Sequence, residues 1–520
     1  VPKLVIAPHA GLMKRLPEHK IVGEKKQYML EAINYIDLDG RLRTMNGNTR
    51  YNSNPVSGLP QWGKRFYYLV GTDLYRNTFA VIGGKIYKGD DGSNTFNQVP
   101  INNAFDIELD SSSVPMDTAI EVSGNVVRYL VDGTYFYKFV PNLAGEWERL
   151  NILVDVDGND IEPVDIVAYQ DRVFVLVKKR NVILFSKNLE PENFSDSTDA
   201  GLIQLPAGNG GYPQKLIVFN GFLNVMHEDY FAPVTGSSAA TYAVRPGDIV
   251  YGYGTRAPLS VTQAQEYLVF QNTFDNEIYQ TAGTLGSTSK VPLSYPVQLG
   301  NLINPVKANL TACILDPNLD CIRVSYVRTA DVVPNAELLY SLNEEKWAGE
   351  TYGKNISRYF VWDGRGDSNQ LMTLRSDTGL FMFEGIGNNV DSGPQNYRFV
   401  TGDYADNYYN DQQFTEFLID ALPTGSANNF PLSYLLDARI TNSATEQITL
   451  QGEVVSLGMI SLGEQNIMLD RIVPLIDKSK GRMIRFLSDE TVMDTYREIY
   501  AFVAIYNKQN VRVSKWTVGA

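Results

Sequence analysis

The chain has 520 residues, 44% of them hydrophobic and 20% charged, with a formal charge of −14 and a pI near 4.9. Such a composition folds, and its acidic balance argues against an ordinary nucleic-acid binder, which needs basic surface to displace counterions from phosphate, though not against a protein that lets nucleic acid slide past without sticking. No run approaches the roughly 18 apolar residues of a membrane-spanning helix, so no such span is expected.

Residues 1–26 are basic on an acidic chain: Lys3, Lys14, Arg15, Lys20, Lys25 and Lys26 face only Glu18 and Glu24. This stretch reads either as an assembly arm docking on a neighbouring subunit or an adaptor, or as a solvated terminus. It lacks the continuous apolar segment of a secretory signal. Turn signals at Asp39-Gly40 and Asn46-Gly47 then predict strand and loop up to residue 59.

From residue 60 a strand-forming phrase recurs: KIYKG at 85–89, DGTYFYKF at 132–139, NVILFSK at 181–187, DYFAPVTG at 229–236 and NEIYQTAG at 276–283. Looser copies follow as AELLYSL at 336–342 and TGLFMFEG at 378–385. Ile86, Tyr135, Val182, Tyr230 and Ile278 anchor the regular copies at steps of about 48 residues. A second run precedes most copies: FYYLVG at 66–71, NVVRYLV at 125–131, RVFVLVKK at 172–179, GFLNVMH at 221–227, EYLVFQN at 266–272 and QLMTLR at 370–375. Strand-rich self-similarity at this period predicts a mainly β protein, a β-propeller of six blades, or seven, over 60–390. The polar, Gly/Pro-rich stretch 190–214 and the stretch 235–261 read as long loops. Past 390 the rhythm is lost, and β-runs to residue 520 predict a separate C-terminal β-rich domain. The expected division is therefore 1–59, 60–390 and 391–520.

The catalytic inventory is thin. His9, His19 and His227 are the only histidines, and none has a partner at metal-ligand spacing. His227 ends a predicted strand and reads as a hydrogen-bonded structural residue. Asp155–Asp160 looks calcium-like, but its Gly158 comes too early for an EF-hand loop, so a turn is expected. Neither Arg365-Gly366-Asp367 nor the sequons at Asn193, Asn309 and Asn355 carries a function by itself. Cys313 and Cys321 flank a predicted turn at Asp316-Pro317-Asn318, which could bring the thiols near each other; with no other cysteine, both are expected free. No cofactor, metal or enzymatic activity is expected, although carboxylates in a propeller funnel leave a glycosidase as the weaker alternative.

The middle of the chain carries a further pattern. The strand pair RVFVLVKKRNVILFSKNLEPENF is followed by GYPQKLIVFNGFLNVMHEDYFAPVTG and then by RPGDIVYGYGTRAPLSV. In the last of these, Gly254, Arg256, Pro258, Ser260 and Val261 form a turn of the type G-x-x-x-P-x-S-V, followed by Asp275, Ile278 and Tyr279 in a D-x-x-I-Y hairpin. Over 60–300 this order resembles the tail hub, or tail nozzle, proteins of short-tailed bacteriophages, also called packaged-DNA stabilisation proteins. The resemblance implies a virion tail protein assembled in the bacterial host cytoplasm. It further implies a homohexameric ring that continues the DNA channel, retains packaged genomic dsDNA and releases it at ejection. Implied partners are other copies of the chain, a tail adaptor or portal-proximal protein, and tail fibre or tailspike proteins. The aromatic-acidic segment at 397–420, with Asp403, Tyr404, Asp406, Tyr408, Tyr409, Asp411, Glu416 and Asp420, is the candidate channel or gate loop, or else an outer linker. The alternative class is a monomeric propeller that binds a glycan or a protein.

Overall fold

Arg172–Val177 (RVFVLV) is apolar at every position after the arginine, and all six residues are buried. A strand with one wet face alternates, whereas this one must be covered on both sides. That requirement recurs along the chain and organises its main unit. The computed structural model describes residues 3–6, 12–14, 29–39, 41–45, 48–52, 55–90, 95–283, 288–362, 370–384, 395–401, 412–421, 429–436, 439–449, 469–474, 480–481, 484–492 and 498–508. One compact unit comprises Thr49–Glu337 and Gly353–Glu384; the other comprises Val1–Asn48, Leu338–Tyr352 and Gly385–Ala520.

The first unit is a β-propeller with six blades. Blade 1 runs through Pro60–Val70, Asp73–Ile82, Lys85–Asp90 and Thr95–Gln98. Blade 2 comprises Met116–Val122, Asn125–Val131, Phe136–Phe139 and Trp147–Arg149. Blade 3 comprises Pro163–Tyr169, Arg172–Val177, Val182–Phe185 and Gly201–Gln204. Blade 4 starts with Pro213–Phe219, Phe222–His227 and Tyr230–Thr235, and blade 5 with Thr262–Ala264, Tyr267–Gln271 and Ile278–Thr281. Blade 6 is Ile356–Trp362, Gln370–Arg375 and Phe381–Glu384. Between blades 5 and 6, the hairpin Ala312–Asp316 and Cys321–Tyr326 fills a further ring position, its first strand touching the first strands of both neighbours.

Apolar clusters glue each blade to the next. Trp62, Phe66, Phe79, Phe139 and Trp147 pack between blades 1 and 2, with Phe66 stacked on Phe79 at 4.7 Å. Phe174, Ile183 and Phe185 meet Leu223, Val225 and Tyr230 between blades 3 and 4. Fully burying each such side chain is worth about 1.5–3 kcal/mol, so the ring is stable only when every blade has both neighbours.

Closure falls to the segment before blade 1. The strand Asn48–Arg50 adds to Phe381–Glu384 as the outer strand of blade 6. Tyr51 N–H donates to Phe381 O (2.8 Å), Phe381 N–H donates to Asn52 Oδ1 (2.8 Å), and Asn52 Nδ2 donates to Gly379 O (2.9 Å). Gly379 is required there, since a Cβ would lie 1.8 Å from Val56 O. On the far side of this seam, Ala80 and Ile82 of blade 1 pack with Phe360, Met372 and Phe381 of blade 6.

Four expectations change in detail. FYYLVG belongs to the first strand of blade 1, and Asp73–Ile82 is its second. Gly201–Gln204, expected as loop, is the outer strand of blade 3, because an edge strand needs little apolar surface. Residues 1–48 and 385–520 share one unit instead of forming separate first and third parts. Cys313 and Cys321 form no disulfide, as expected, but they do not approach each other: their hairpin pairs Asp316 with Cys321 and Cys313 with Val324. An odd offset of this kind sends the two side chains to opposite faces, so the thiols do not meet.

The second unit is also built of strands. Gln395–Thr401 lies between Met29–Ile33 and Ile484–Val492, and the strand Gln412–Ala421 lies between Leu469–Pro474 and Glu498–Lys508. Tyr35 packs edge-on against Tyr397 and Phe399 in its core.

The Asn52→Ala variant should lose about 1–3 kcal/mol, because it strands the buried Phe381 N–H and Gly379 C=O together. Urea unfolding of the full chain reads this out; an unchanged midpoint would mean that Asn52 does not close the ring.

Candidate functional site in the propeller channel

The first strands of the blades line the central channel, and four of them share a defect. Pairing shifts register between Pro60 and Trp62, Pro163 and Asp165, Pro213 and Lys215, and Ile356 and Arg358. Each shift inserts one extra residue, a β-bulge, just where the strand begins. Bulges re-aim the side chain that follows, and proline is tolerated at the first residue of a strand. Asp165, Lys215 and Arg358 therefore occupy equivalent places in three blades, and Asp117 follows Met116 at the start of blade 2.

These residues form a charged belt. Lys64 is bonded to Asp117 Oδ2, and Trp62 Nε1 donates to Asp117 Oδ1 at 2.9 Å. Lys215 Nζ donates to Asp165 Oδ1 (3.1 Å), and Leu216 N–H donates to Asp165 Oδ2 (2.5 Å). Arg358 Nη1 donates to two backbone carbonyls, Gln61 O at 2.9 Å and Pro115 O at 2.8 Å, and its Nη2 reaches Met116 Sδ at 3.7 Å. The belt holds three cations and two carboxylates. Burial pushes the Asp165 carboxyl up, and Lys215 opposes that only in part. Burial also acts on Asp117, but Lys64, Trp62 and Arg358 outweigh it and hold this carboxyl below its ordinary value. Burial brings the Arg358 guanidinium down to about 10, although Asp117 and Asp165 pull the other way.

A cavity of about 670 Å³ opens above the belt. Its wall takes in the loop Asp110–Val114, the turn at Lys178 and Lys179, the start of blade 4 at Tyr212–Gln214, and Pro258 and Leu259. The carboxylates at this mouth are engaged in turns. Asp132 accepts from Thr134 N–H, Tyr135 N–H and Tyr137 Oη, and Asp110 accepts from Ser112 N–H and Oγ. The Ser112 bonds hold the Asp110 carboxyl below its ordinary value.

The residues of the G-x-x-x-P-x-S-V turn join blade 4 to blade 5. Gly254 lies so close to the His227–Glu228 backbone that a Cβ would meet it at 2.4 Å. Arg256 Nε donates to Glu228 (2.9 Å), and the buried Ser260 Oγ accepts from Gln271 N–H (3.0 Å). Asp275 accepts from Tyr279 Oη (2.7 Å) inside blade 5. His227 is a buried strand-end residue stacked on Tyr230. Its Nε2 meets Asn181 Oδ1, its Nδ1 accepts from Asp229 N–H, and burial lowers its pKa against the pull of Asp229 and Glu228. Asp155 caps a turn through Asp157 N–H and Asn159 N–H and pairs with Arg180 at 2.9 Å.

Of the proposed assembly arm, Lys3 lies on the strand Lys3–Ile6, which pairs with Glu498–Lys508 of its own chain. Lys14 Nζ pairs with Glu350 at 2.6 Å. Arg15, Lys20, Lys25 and Lys26 lie outside the described residues, as do His9, His19, Arg365-Gly366-Asp367 and the gate candidates Asp403, Tyr404, Asp406, Tyr408, Tyr409 and Asp411. Glu416 and Asp420 fall on the strand Gln412–Ala421, opposite Pro474 and Asp470. Sequence reasoning missed the belt altogether. Its one visible trace is a proline two residues before the charge at Pro163-Val164-Asp165 and Pro213-Gln214-Lys215.

No protein-family model matches the chain, and no curated protein matches it. Among solved structures it is similar to BBS1N in complex with ARL6DN (TM-score 0.41, 9% identity, 65% of this chain and 96% of that one). It is also similar to a putative 6-phosphogluconolactonase from Bacteroides uniformis (TM-score 0.37, 11% identity, 63% and 96%). A third is an exo-β-1,3-galactanase from Phanerochaete chrysosporium (TM-score 0.28, 10% identity, 89% and 100%). Likeness at this level assigns no activity.

Asp117 should stay ionised when Asp165 already takes up a proton. A carboxyl held low in the folded state contributes stability above the ordinary aspartate range, about pH 4, and loses it as pH falls through the folded value. Asp117→Asn should therefore cost about 1–3 kcal/mol at pH 7 and progressively less in acid. Denaturant melts of both proteins from pH 7 to pH 3 measure this; a pH-independent difference would contradict the assignment.

Proposed function

We propose that this chain is a structural subunit of a ring-shaped conduit, of the kind formed by the tail hub or nozzle proteins of short-tailed bacteriophages. In this reading it has no catalytic role. Six copies surround a common axis, dock on an adaptor or portal-proximal protein, carry fibres or tailspikes, and retain and then pass packaged dsDNA. The observation that carries the non-catalytic part is the state of the carboxylates. Burial raises the carboxyls of Asp165 and Glu277 above their ordinary value. Both are tied up, Asp165 by Lys215 and Leu216 N–H, and Glu277 by Ser294 and Gly300 N–H. A glycosidase needs one free raised acid facing a second free carboxylate. The ring and its cargo come from the resemblance carried by Gly254, Arg256, Pro258, Ser260 and Val261 and by the Asp275–Tyr279 hairpin.

The channel of a single propeller cannot be the conduit. Arg358, Lys64, Asp117, Asp165 and Lys215 occupy it, and a duplex whose major groove alone is about 12 Å wide does not pass such a belt. The conduit is then the space between copies, and the net charge of −14 on each keeps phosphate from adhering.

Sedimentation equilibrium of the full chain, alone and with its adaptor, should give a closed assembly of six copies. A monomer under both conditions would overturn the ring and favour a propeller that binds its partner singly. The arm is tested by glutamine at Arg15, Lys20, Lys25 and Lys26 together, because Lys3–Ile6 already pairs within its own chain. Assembly should weaken several-fold while the melting temperature holds; unchanged assembly would make the arm a solvated terminus.

A further inference from the structure

The cavity at the channel mouth is cationic on an acidic protein. Its wall carries Lys178, Lys179, Arg256 and Arg358 against only Asp110 and Asp132. Arg256 is already paired with Glu228, Asp132 is engaged by turn and tyrosine hydrogen bonds, and Asp110 by Ser112 at Oδ1, with Lys178 acting on it from farther off. The other three cations differ. Lys178 and Lys179 sit exposed on the turn after Arg172–Val177 and form no ion pair among the described residues.

Arg358 is the most informative of them. Its Nη1 is committed to two backbone carbonyls, which fixes the plane of the guanidinium. Its Nη2 meets only a thioether sulfur at 3.7 Å, a weak acceptor. No carboxylate of the described residues lies within ion-pair distance of it, and its side chain lines the cavity. A guanidinium held by neutral carbonyls and a thioether, on the wall of an open cavity, is arranged to receive an oxyanion. With Lys64, Lys215 and Arg358 against Asp117 and Asp165, the belt keeps one positive charge in excess, although both carboxylates act on Arg358 from beyond ion-pair distance.

From this geometry we propose that the channel mouth binds a small organic anion, a sugar-sized body bearing one carboxylate or phosphate. The oxyanion sits on Arg358, and Lys178 and Lys179 attract it at the rim. The remaining walls suit such a body. Tyr212, 39% exposed, offers a ring face, while the amide oxygens of Gln61 and Gln214 can accept from hydroxyls, their NH2 groups being held by Asp110 O and Ser113 O and by Tyr212 O and Glu228. A volume of about 670 Å³ falls in the range of small-molecule sites. This site belongs to the propeller alone and does not depend on the ring reading.

The test is calorimetric titration of the full chain with three probes of one size: glucose, glucuronate and glucose 6-phosphate. At least one acid should bind saturably, and glucose should not. Which acid binds tighter identifies carboxylate or phosphate as the group received. Arg358→Gln should weaken that acid roughly tenfold or more, the loss of a charged hydrogen-bonded contact. The double variant Lys178→Gln, Lys179→Gln, on an exposed turn, should weaken it several-fold and flatten its dependence on salt. That second variant decides the matter if Arg358→Gln fails to fold. Equal binding of glucose and both acids, no binding of any probe at millimolar concentration, or affinities untouched by the lysine substitutions would overturn the proposal.

Discussion

Burial on both faces of the middle strands is the constraint on which the propeller depends. Leu176, Ile183, Val225 and Phe231 are fully buried only because a neighbouring blade covers them. No single four-stranded sheet supplies that cover, so the blades are stable as a ring or not at all. The same logic explains why a polar pair, Asn52 with the Gly379 backbone, sits at the seam. Apolar contact alone would let the last blade slip against the incoming strand, whereas hydrogen bonds fix its register.

This constraint also decides what was legible in the sequence. Six of the seven recurrent phrases, KIYKG through NEIYQTAG together with TGLFMFEG, are third strands of blades. Most of the runs before them are second strands. These central hairpins are dry on both faces and so read as continuous apolar runs. First strands such as MDTAIEV and PQKLIVF mix charge with aliphatic residues, because one end faces the channel. Outer strands such as GLIQ are short and half wet, and they look like loop. FYYLVG misled for a related reason: blade 1 opens with an unusually long first strand whose aromatic stretch imitates a central one. The closing strand Asn48–Arg50 gives no periodic signal, being three residues long.

The channel belt was invisible for a different physical cause. A bulge is a property of pairing between strands, and Asp165, Lys215 and Arg358 become equivalent only once their strands are registered against the next ones. Charges that are scattered over 300 residues of sequence thus converge on one axis. Their mutual pairing places Lys64 against Asp117 and Lys215 against Asp165 on that axis. Of the residues carrying the resemblance, Gly254 and Ser260 join two blades, while Arg256 and Pro258 line the cavity at the channel mouth.

The proposed conduit, if its propellers are filled by the channel belt, makes a demand on the assembled particle: the hole must lie between subunits. Electron microscopy of the purified full chain, averaged to a resolution that separates blades, tests this directly. The account predicts closed rings with a central opening wide enough for a DNA duplex, each propeller in the wall carrying density on its own axis. Isolated propellers at every concentration, or rings whose duplex-sized opening runs down a propeller axis, would contradict it.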